Sequence, residues 1–430
     1  MTMTFECNWL NKRKLPTGLA LEERQTRCEL ALTVNEHAVF RNEDRLNDHK
    51  VNRSMHVSTY PLAYWFATNW WRLCWESPRK PSHLNDQEWL MSHNVGAAAA
   101  GYYWPNLTIA SDGESVHLQQ DATRETSAPL RYLDTLSEWI SIEEFERSVS
   151  GFIEQSLERL SSKKVLNTNL HQLWEEVTAE RSDPLLFKQR RLEARLGFDP
   201  DEAPEALISQ LLSMMSKHGE SAVEEIAQAV GQQAPETLSA LKEKLKDSFR
   251  LEIPATESLH DLPTYTGTPW QRGYQLAGKL RELWALPKGK LDNQKFAECV
   301  SMPGEAIQRS EHSAVPVALG RRNDPERIPF YLGKTRVEQR RFMLARLIGD
   351  AIITAPSESL LPCTDVGTAR QKFQRAFAQE FLCPYSDVCE FLGTDSPGEE
   401  QKEAAAEHFE VSPFMISHIF ENHGSLKLFP

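Results

Sequence analysis

RVEQRRFMLARLIGD, residues 336–350, decides how the C-terminal third of this chain is built. It reads as a helix. At 3.6 residues per turn, Arg346 and Asp350 lie one turn apart on a shared face. They are spaced to pair, although Arg before Asp is the weaker of the two orders. Two readings stand side by side: the two charges fill a buried cavity together, or both are solvated on an exposed turn. Working outward, IPFYL at 328–332 reads as a short strand ahead of this helix, and QKFQRAFAQEFLCP at 371–384 as a second helix. PWQRGYQLAGKLRELWAL at 269–286 places Leu276, Leu280 and Leu283 at helical spacing. The tail 399–422, EEQKEAAAEHFEVSPFMISHIFEN, reads as two helices joined at Val411 and Ser412. Ser412 is the expected N-cap of the second and Pro413 its first residue.

In order and spacing these pieces resemble the ImmA/IrrE family of zinc peptidases, over roughly the last 160 residues. The family pattern R-F-x-x-A-H-E-x-G-H is matched by Arg341, Phe342, Ala345 and Gly349. Phe377, Ala378, Leu382 and Pro384 match the family's second helix, and Ala405, Phe409, Val411, Ser412 and Asn422 its closing pair. In that family two histidines a turn apart grip zinc, and the glutamate after the first polarises the zinc-bound water. A third, acidic ligand opens the second helix. Here Arg346 and Asp350 stand at the histidine positions, Leu347 at the glutamate and Gln371 at the third ligand. A fixed guanidinium charge repels a dication. Leu347 accepts no proton, and Asp350 alone holds zinc poorly. Glu380, the nearest surviving acid, is nine residues past Gln371 and points elsewhere on the helix. The resemblance therefore implies a zincin-like scaffold with no catalytic residue, metal or cofactor. Its degenerate site of Arg346, Leu347, Asp350 and Gln371 becomes a candidate pocket for a partner or ligand. It also implies a setting: bacterial stress response, prophage or mobile-element control, toxin–antitoxin pairs or phage defence. The usual partner there is a protein, whether a repressor, a product of the same operon or a phage-derived protein.

Composition sets wider bounds. A chain of 430 residues, 40% hydrophobic and 9% aromatic, has material for two or three domains with real cores. A net charge of −13 argues against broad binding to nucleic acid or an anionic membrane. Seven cysteines, with no CxxC spacing, suit reduced thiols in a cytosol. The N-terminus lacks an apolar h-region and no apolar run approaches membrane-spanning length, so a cytoplasmic protein is expected.

The expected fold is α+β, in three parts: a β-rich aromatic domain at 1–125, a helical region at 126–250, and the zincin-like, mostly helical domain at 268–430. LALTVNEHAVF, ending at Phe40, and MHVSTYPLAYWF at 55–66 read as strands. Ser111-Asp112-Gly113 reads as a hairpin turn between Thr108–Ala110 and ESVHLQQ. From 128 to 245 helical periodicity takes over, beginning with LDTLSEWISIEEFERSVSGFIEQSLERL. Gly197 is a C-cap and DPDEAP opens the next helix. The Pro/Thr-rich stretch 250–268 is the linker candidate, and 310–328 is loop-like.

Seven of the 11 tryptophans precede residue 105. Trp70, Trp71 and Trp104 with His93 form a candidate ligand cluster able to stack a base or a sugar. Core packing of a β-rich domain explains them equally directly, and His93 has no acid or nucleophile identifiable beside it. The basic run Lys188, Arg190, Arg191 and Arg195 reads as charged helix surface, with nucleic-acid contact as its rival. The tail's helix–Val–Ser–helix is also a helix-turn-helix pattern, but 413–423 contains no Lys or Arg, which argues against DNA. There is no P-loop, GxGxxG or GxSxG. The leading expectation is a non-catalytic regulatory or interaction protein. Its rivals are an active zinc endopeptidase with unusual ligands and an effector whose site lies in the N-terminal domain.

Overall fold

The computed structural model describes residues 1–10, 18–77, 86–254, 265–311, 315–322 and 327–427, with side chains as far as 422. In chain order its strands are β1 Met3–Trp9, β2 Arg27–Val34, β3 His37–Ala38, β4 Asn42–Asp44, β5 Lys50–Asn52, β6 Met55–Ser58, β7 Leu107–Ser111, β8 Ser115–Gln120, β9 Leu130–Tyr132, β10 Leu136–Ser141, β11 Arg250–Leu251, β12 Ala318–Arg321, β13 Ile328–Tyr331 and β14 Leu360–Cys363. All pairings among them are antiparallel. The fold is mixed α and β, and the chain divides into two compact units, Met1–Ile208 and Ser209–Pro430. The stretch expected as a helical middle region, 126–250, is shared between them.

The first unit carries three small sheets: β1-β2-β3 with β6 also on β2, β10-β8-β7, and β5-β4-β9. Strict alternation along β2 sends Cys28, Leu30, Leu32 and Val34 into the core and leaves the intervening residues half-exposed. Against this face lies the Ile142–Ser162 helix, whose Phe145, Val149, Phe152 and Ile153 form a buried stripe. Phe5 of β1 stacks on Phe152 with ring centroids 4.3 Å apart. The β7–β8 hairpin turns where expected, with Asp112 Oδ1 accepting the amides of Glu114 and Ser115 at 3.0 and 2.8 Å. Gly197 ends the Pro184–Leu196 helix in the left-handed conformation, φ 84°.

Two local readings are corrected. Only Met55–Ser58 of the 55–66 run is strand; Thr59–Thr68 is helix. Ser58 caps it, accepting the Tyr60 amide at 3.2 Å. Conversely, the start of the long helical stretch contains β10, which pairs with β8 before Ser141 caps the helix at Ile142.

The second unit is built on the sheet β11-β13-β12-β14. β13 falls where the short strand was expected. β11 and β12 fall in stretches read as linker and loop: Arg250–Leu251 pairs with β13, and Ala318–Arg321 lies between β13 and β14. Within those stretches, residues 255–264, 312–314 and 323–326 lie outside the described residues. The Val337–Ile353 helix is buried without interruption from Met343 to Asp350. It packs with the Pro269–Leu283 and Ala369–Leu382 helices, and two glycines set the spacing. A Cβ at Gly349 would lie 2.6 Å from the Phe377 ring, and one at Gly273 would lie 2.6 Å from the Phe373 carbonyl oxygen. Three helices, Tyr385–Leu392, Glu399–Phe409 and Pro413–Lys427, close the unit, and Ser412 Oγ accepts the Met415 amide at 3.2 Å as the last helix begins. Among the described residues no helix is long and apolar enough to cross a membrane.

Candidate functional site

Four charged side chains are buried on the Val337–Ile353 helix, and each is placed by a different element. Arg340 donates to the carbonyls of Ile307, Ala306 and Lys334 at 3.0, 2.7 and 3.1 Å. Arg341 reaches Leu291 O, Asn293 Oδ1 and Glu410 Oε2 at 2.5, 2.7 and 3.0 Å. These two clamp neighbouring loops onto the helix. One turn further on, Arg346 and Asp350 face the Ala369–Leu382 helix.

The structure brings Arg346 and Gln371 together. Arg346 Nη2 donates to Gln371 Oε1 at 2.5 Å and to the Thr364 carbonyl at 2.6 Å. Gln371 Oε1 also accepts the Thr364 amide at 2.8 Å, while its Nε2 donates to Pro362 O at 3.2 Å. Every polar atom of the Gln371 amide is thereby used. Asp350 does not pair with Arg346. Arg370 clasps it instead, Nε to Oδ1 at 2.8 Å and Nη2 to Oδ2 at 2.6 Å. The two-pronged geometry matches a carboxylate better than a lone contact within one helix can. Burial opposes the Arg370 charge, but Asp350 outweighs it and holds that guanidinium above its ordinary value. Arg346 and Asp350 are both buried, so the reading of two solvated charges gives way to a buried network, in which Asp350 pairs with Arg370 of the next helix. Leu347 is 1% exposed and sits over β12, its Cδ2 within 3.4 Å of where a Gly320 Cβ would stand.

Arg370 and Thr364 were missed. Arg370 left one signal: it lies in the first turn of a helix, where the dipole disfavours a cation. A cation retained there needs a nearby acid, and Asp350 is that acid.

This set of residues does not fit zinc. The Arg346 guanidinium is bonded to Gln371, and among the described residues no group of three or more His, Cys, Asp or Glu is arranged to hold a metal ion. Cys363 and Cys383 are buried thiols; burial pushes Cys363 up to about 12.

The N-terminal candidates are also brought close, but as packing. Trp70 and Trp71 are 1% and 2% exposed, and Trp104 is buried beside Phe40. Trp70 packs edge-on against Trp174, and Arg181 stands 4.4 Å over its ring. Trp71 Nε1 donates to Glu180 Oε2 at 2.8 Å, and Trp104 Nε1 to Ala99 O at 3.1 Å. His93 does have an acid: its Nε2 lies 3.0 Å from Glu76 Oε2 and its Nδ1 2.8 Å from the Ile109 carbonyl, with Trp89 stacked on the ring at 3.9 Å. Both ring nitrogens face oxygen atoms. Glu76 also accepts Arg72 Nε at 2.6 Å. Burial pushes the Glu76 carboxyl up, but the bonds from His93 and Arg72 outweigh it and hold the group below its ordinary value. A hydrogen-bonded, ring-covered histidine of this kind is a cross-brace between the Gln87–His93 helix and β7.

The basic run is not bare helix surface. Arg190 is 6% exposed and spans Glu180, Glu193 and Asp201 at 2.6, 2.8 and 2.8 Å, and Arg195 is 7% exposed. Such committed guanidinium groups are not offered to a phosphate backbone.

No family model, no curated protein and no solved structure matches this chain.

Proposed function

We propose that residues 268–430 form a degenerate ImmA/IrrE-like zinc-peptidase scaffold that serves as a non-catalytic regulatory or interaction module. The carrying observation is the Arg346–Gln371–Thr364 junction. Of the positions singled out as former metal ligands, 346 and 371 are hydrogen-bonded to each other between two helices, the Arg346 guanidinium also donates to the Thr364 carbonyl, and Asp350 is held by Arg370. Arg346 supplies a permanent positive charge where a zinc peptidase holds its dication. It ties the loop after β14 to the second helix without a metal. Leu347, packed on the sheet, offers no base to activate water. The partner class that follows is a protein of the same bacterial regulatory or defence setting, such as a repressor, an operon-encoded protein or a phage-derived one.

The test is metal content by elemental mass spectrometry on untagged protein purified without chelator. Less than about a tenth of a zinc per chain is expected from this ligand set, with no endopeptidase turnover when zinc is added. A value near one zinc per chain overturns the reading.

A further inference from the structure

We propose that Arg346 and Arg375 form a binding site for a small phosphate-bearing molecule at the edge of the junction between the Val337–Ile353 and Ala369–Leu382 helices. The inference goes beyond the scaffold reading and does not need the family resemblance.

Gln371 and Arg375 are one turn apart on one face of the second helix. Gln371 holds Arg346, and Arg346 and Arg375 both donate into one loop, at carbonyls two residues apart: Thr364 O at 2.6 Å and Val366 O at 3.1 Å. The two guanidinium groups are therefore neighbours. Arg346 is 1% exposed, and among the described residues its Nε has no acceptor and its Nη1 meets only the Met343 sulfur at 3.6 Å. The one acid on its own helix face, Asp350, is taken up by Arg370. A buried cation without an anion is costly, and the stacking of Arg346 on Phe342, 5.9 Å to the ring centroid, offsets only part of that cost. Arg375 is half-buried and lies at the solvent edge. Val366 O is the acceptor its guanidinium uses among the described residues, which leaves Nε and Nη1 as donors.

Other charges act here. Burial first, and Arg346 second, lower Arg375 to about 10, against the opposing pull of Asp365 and Glu225. Arg375 is thus still a cation at neutral pH, held at some cost beside another. A dianionic oxyanion relieves both. Phosphate is favoured over a carboxylate because it presents three acceptor oxygens to the donors left on two side chains.

The experiment is thermal unfolding and titration calorimetry of the full chain with inorganic phosphate and with a nucleoside monophosphate, each against sodium chloride at equal ionic strength. A saturable rise in Tm with either phosphate, absent with chloride, is expected. A response to the ester alone assigns the site to a phosphate monoester; a response to both assigns it to phosphate itself. Arg346→Gln strips a buried donor and puts folding at risk, so Arg375→Gln is the informative variant. It is expected to weaken binding at least tenfold while circular dichroism and the Tm in chloride hold, and Lys402→Gln, on the ion pair to Glu399 in another helix, is expected to leave binding unchanged. A phosphate response equal to that of chloride, or one retained in Arg375→Gln, overturns the proposal.

Discussion

Asp350 shows how geometry overrules sequence proximity. Arg346 lies one turn away on the same helix, yet the carboxylate takes both its hydrogen bonds from Arg370 on the next helix. The order Arg-then-Asp gives little attraction along a helix, whereas a guanidinium fork meeting a carboxylate end-on satisfies two acceptors at once. Arg370→Met leaves a fully buried carboxylate unpaired and is expected to cost about 3–5 kcal/mol in urea unfolding. Adding Asp350→Asn should recover part of that loss; a double variant as unstable as the sum of the singles would show that the two groups are not coupled. Glu76 gives a second prediction, with the sign fixed by its depressed carboxyl. A folded-state value below the ordinary one stabilises the protein above that ordinary value and loses its contribution as pH falls through the folded one. Glu76→Gln is therefore expected to be less stable than the parent at neutral pH, and to lose less Tm between about pH 5 and pH 3. Parallel Tm profiles for the two proteins would rule this out.

Between helices the same lesson concerns space. At Gly273 the backbones of two helices come close enough that a Cβ would strike the Phe373 carbonyl at 2.6 Å and the Phe377 amide nitrogen at 2.9 Å. Neither is a flexible side-chain end, so Gly273→Ala must push the helices apart. A loss of about 1–3 kcal/mol is expected, against a small gain if helix propensity governed; urea midpoints distinguish the two. Elements of this kind were legible where period and cap agreed, as at Gly197 after an amphipathic helix and Ser412 before the last. They were illegible where burial covers most of a helix and leaves an aromatic-rich stripe as its exposed side. Thr59–Thr68 is such a run: Pro61, Leu62, Ala63, Trp65, Phe66 and Ala67 are all buried, and an apolar run of that kind reads equally as a core strand. β11 and β12 were missed because strands of two and four residues carry no period of their own and exist through their partners. The site divides in the same way. Spacing alone places Arg346 and Asp350 on one face. The partners Arg370 and Thr364 come from a helix start and a strand end, whose approach depends on tertiary packing.

At the scale of the chain, two hydrophobic cores organise what the sequence divides into three. One gathers β1 and β2, the tryptophan-rich helices and the Ile142–Ser162 and Asn169–Ser182 helices, and reaches Ala194. The other begins at Leu251 and extends to Ile419. Composition marks a change of secondary structure near residue 126, but strands and helices on either side of it share the first core, so that point is no boundary of packing. The charge pattern follows: Arg190 closes the first unit by joining Glu180, Glu193 and Asp201, which is why a dense basic run appears in a protein of net charge −13. A unit with its own core and its own closing ion pairs should fold without the rest of the chain. Residues 1–203, ending after Asp201 and before the Glu205–His218 helix, keep the whole first core and every partner of Arg190. That fragment is expected to show a near-ultraviolet circular dichroism spectrum dominated by fixed tryptophans and a single cooperative thermal transition. Arg190→Met in the same fragment should lower its Tm by several degrees, because three acids lose one common partner. A fragment with far-ultraviolet signal but no near-ultraviolet structure would instead be a collapsed state without fixed packing, and the first core would then depend on residues beyond 203.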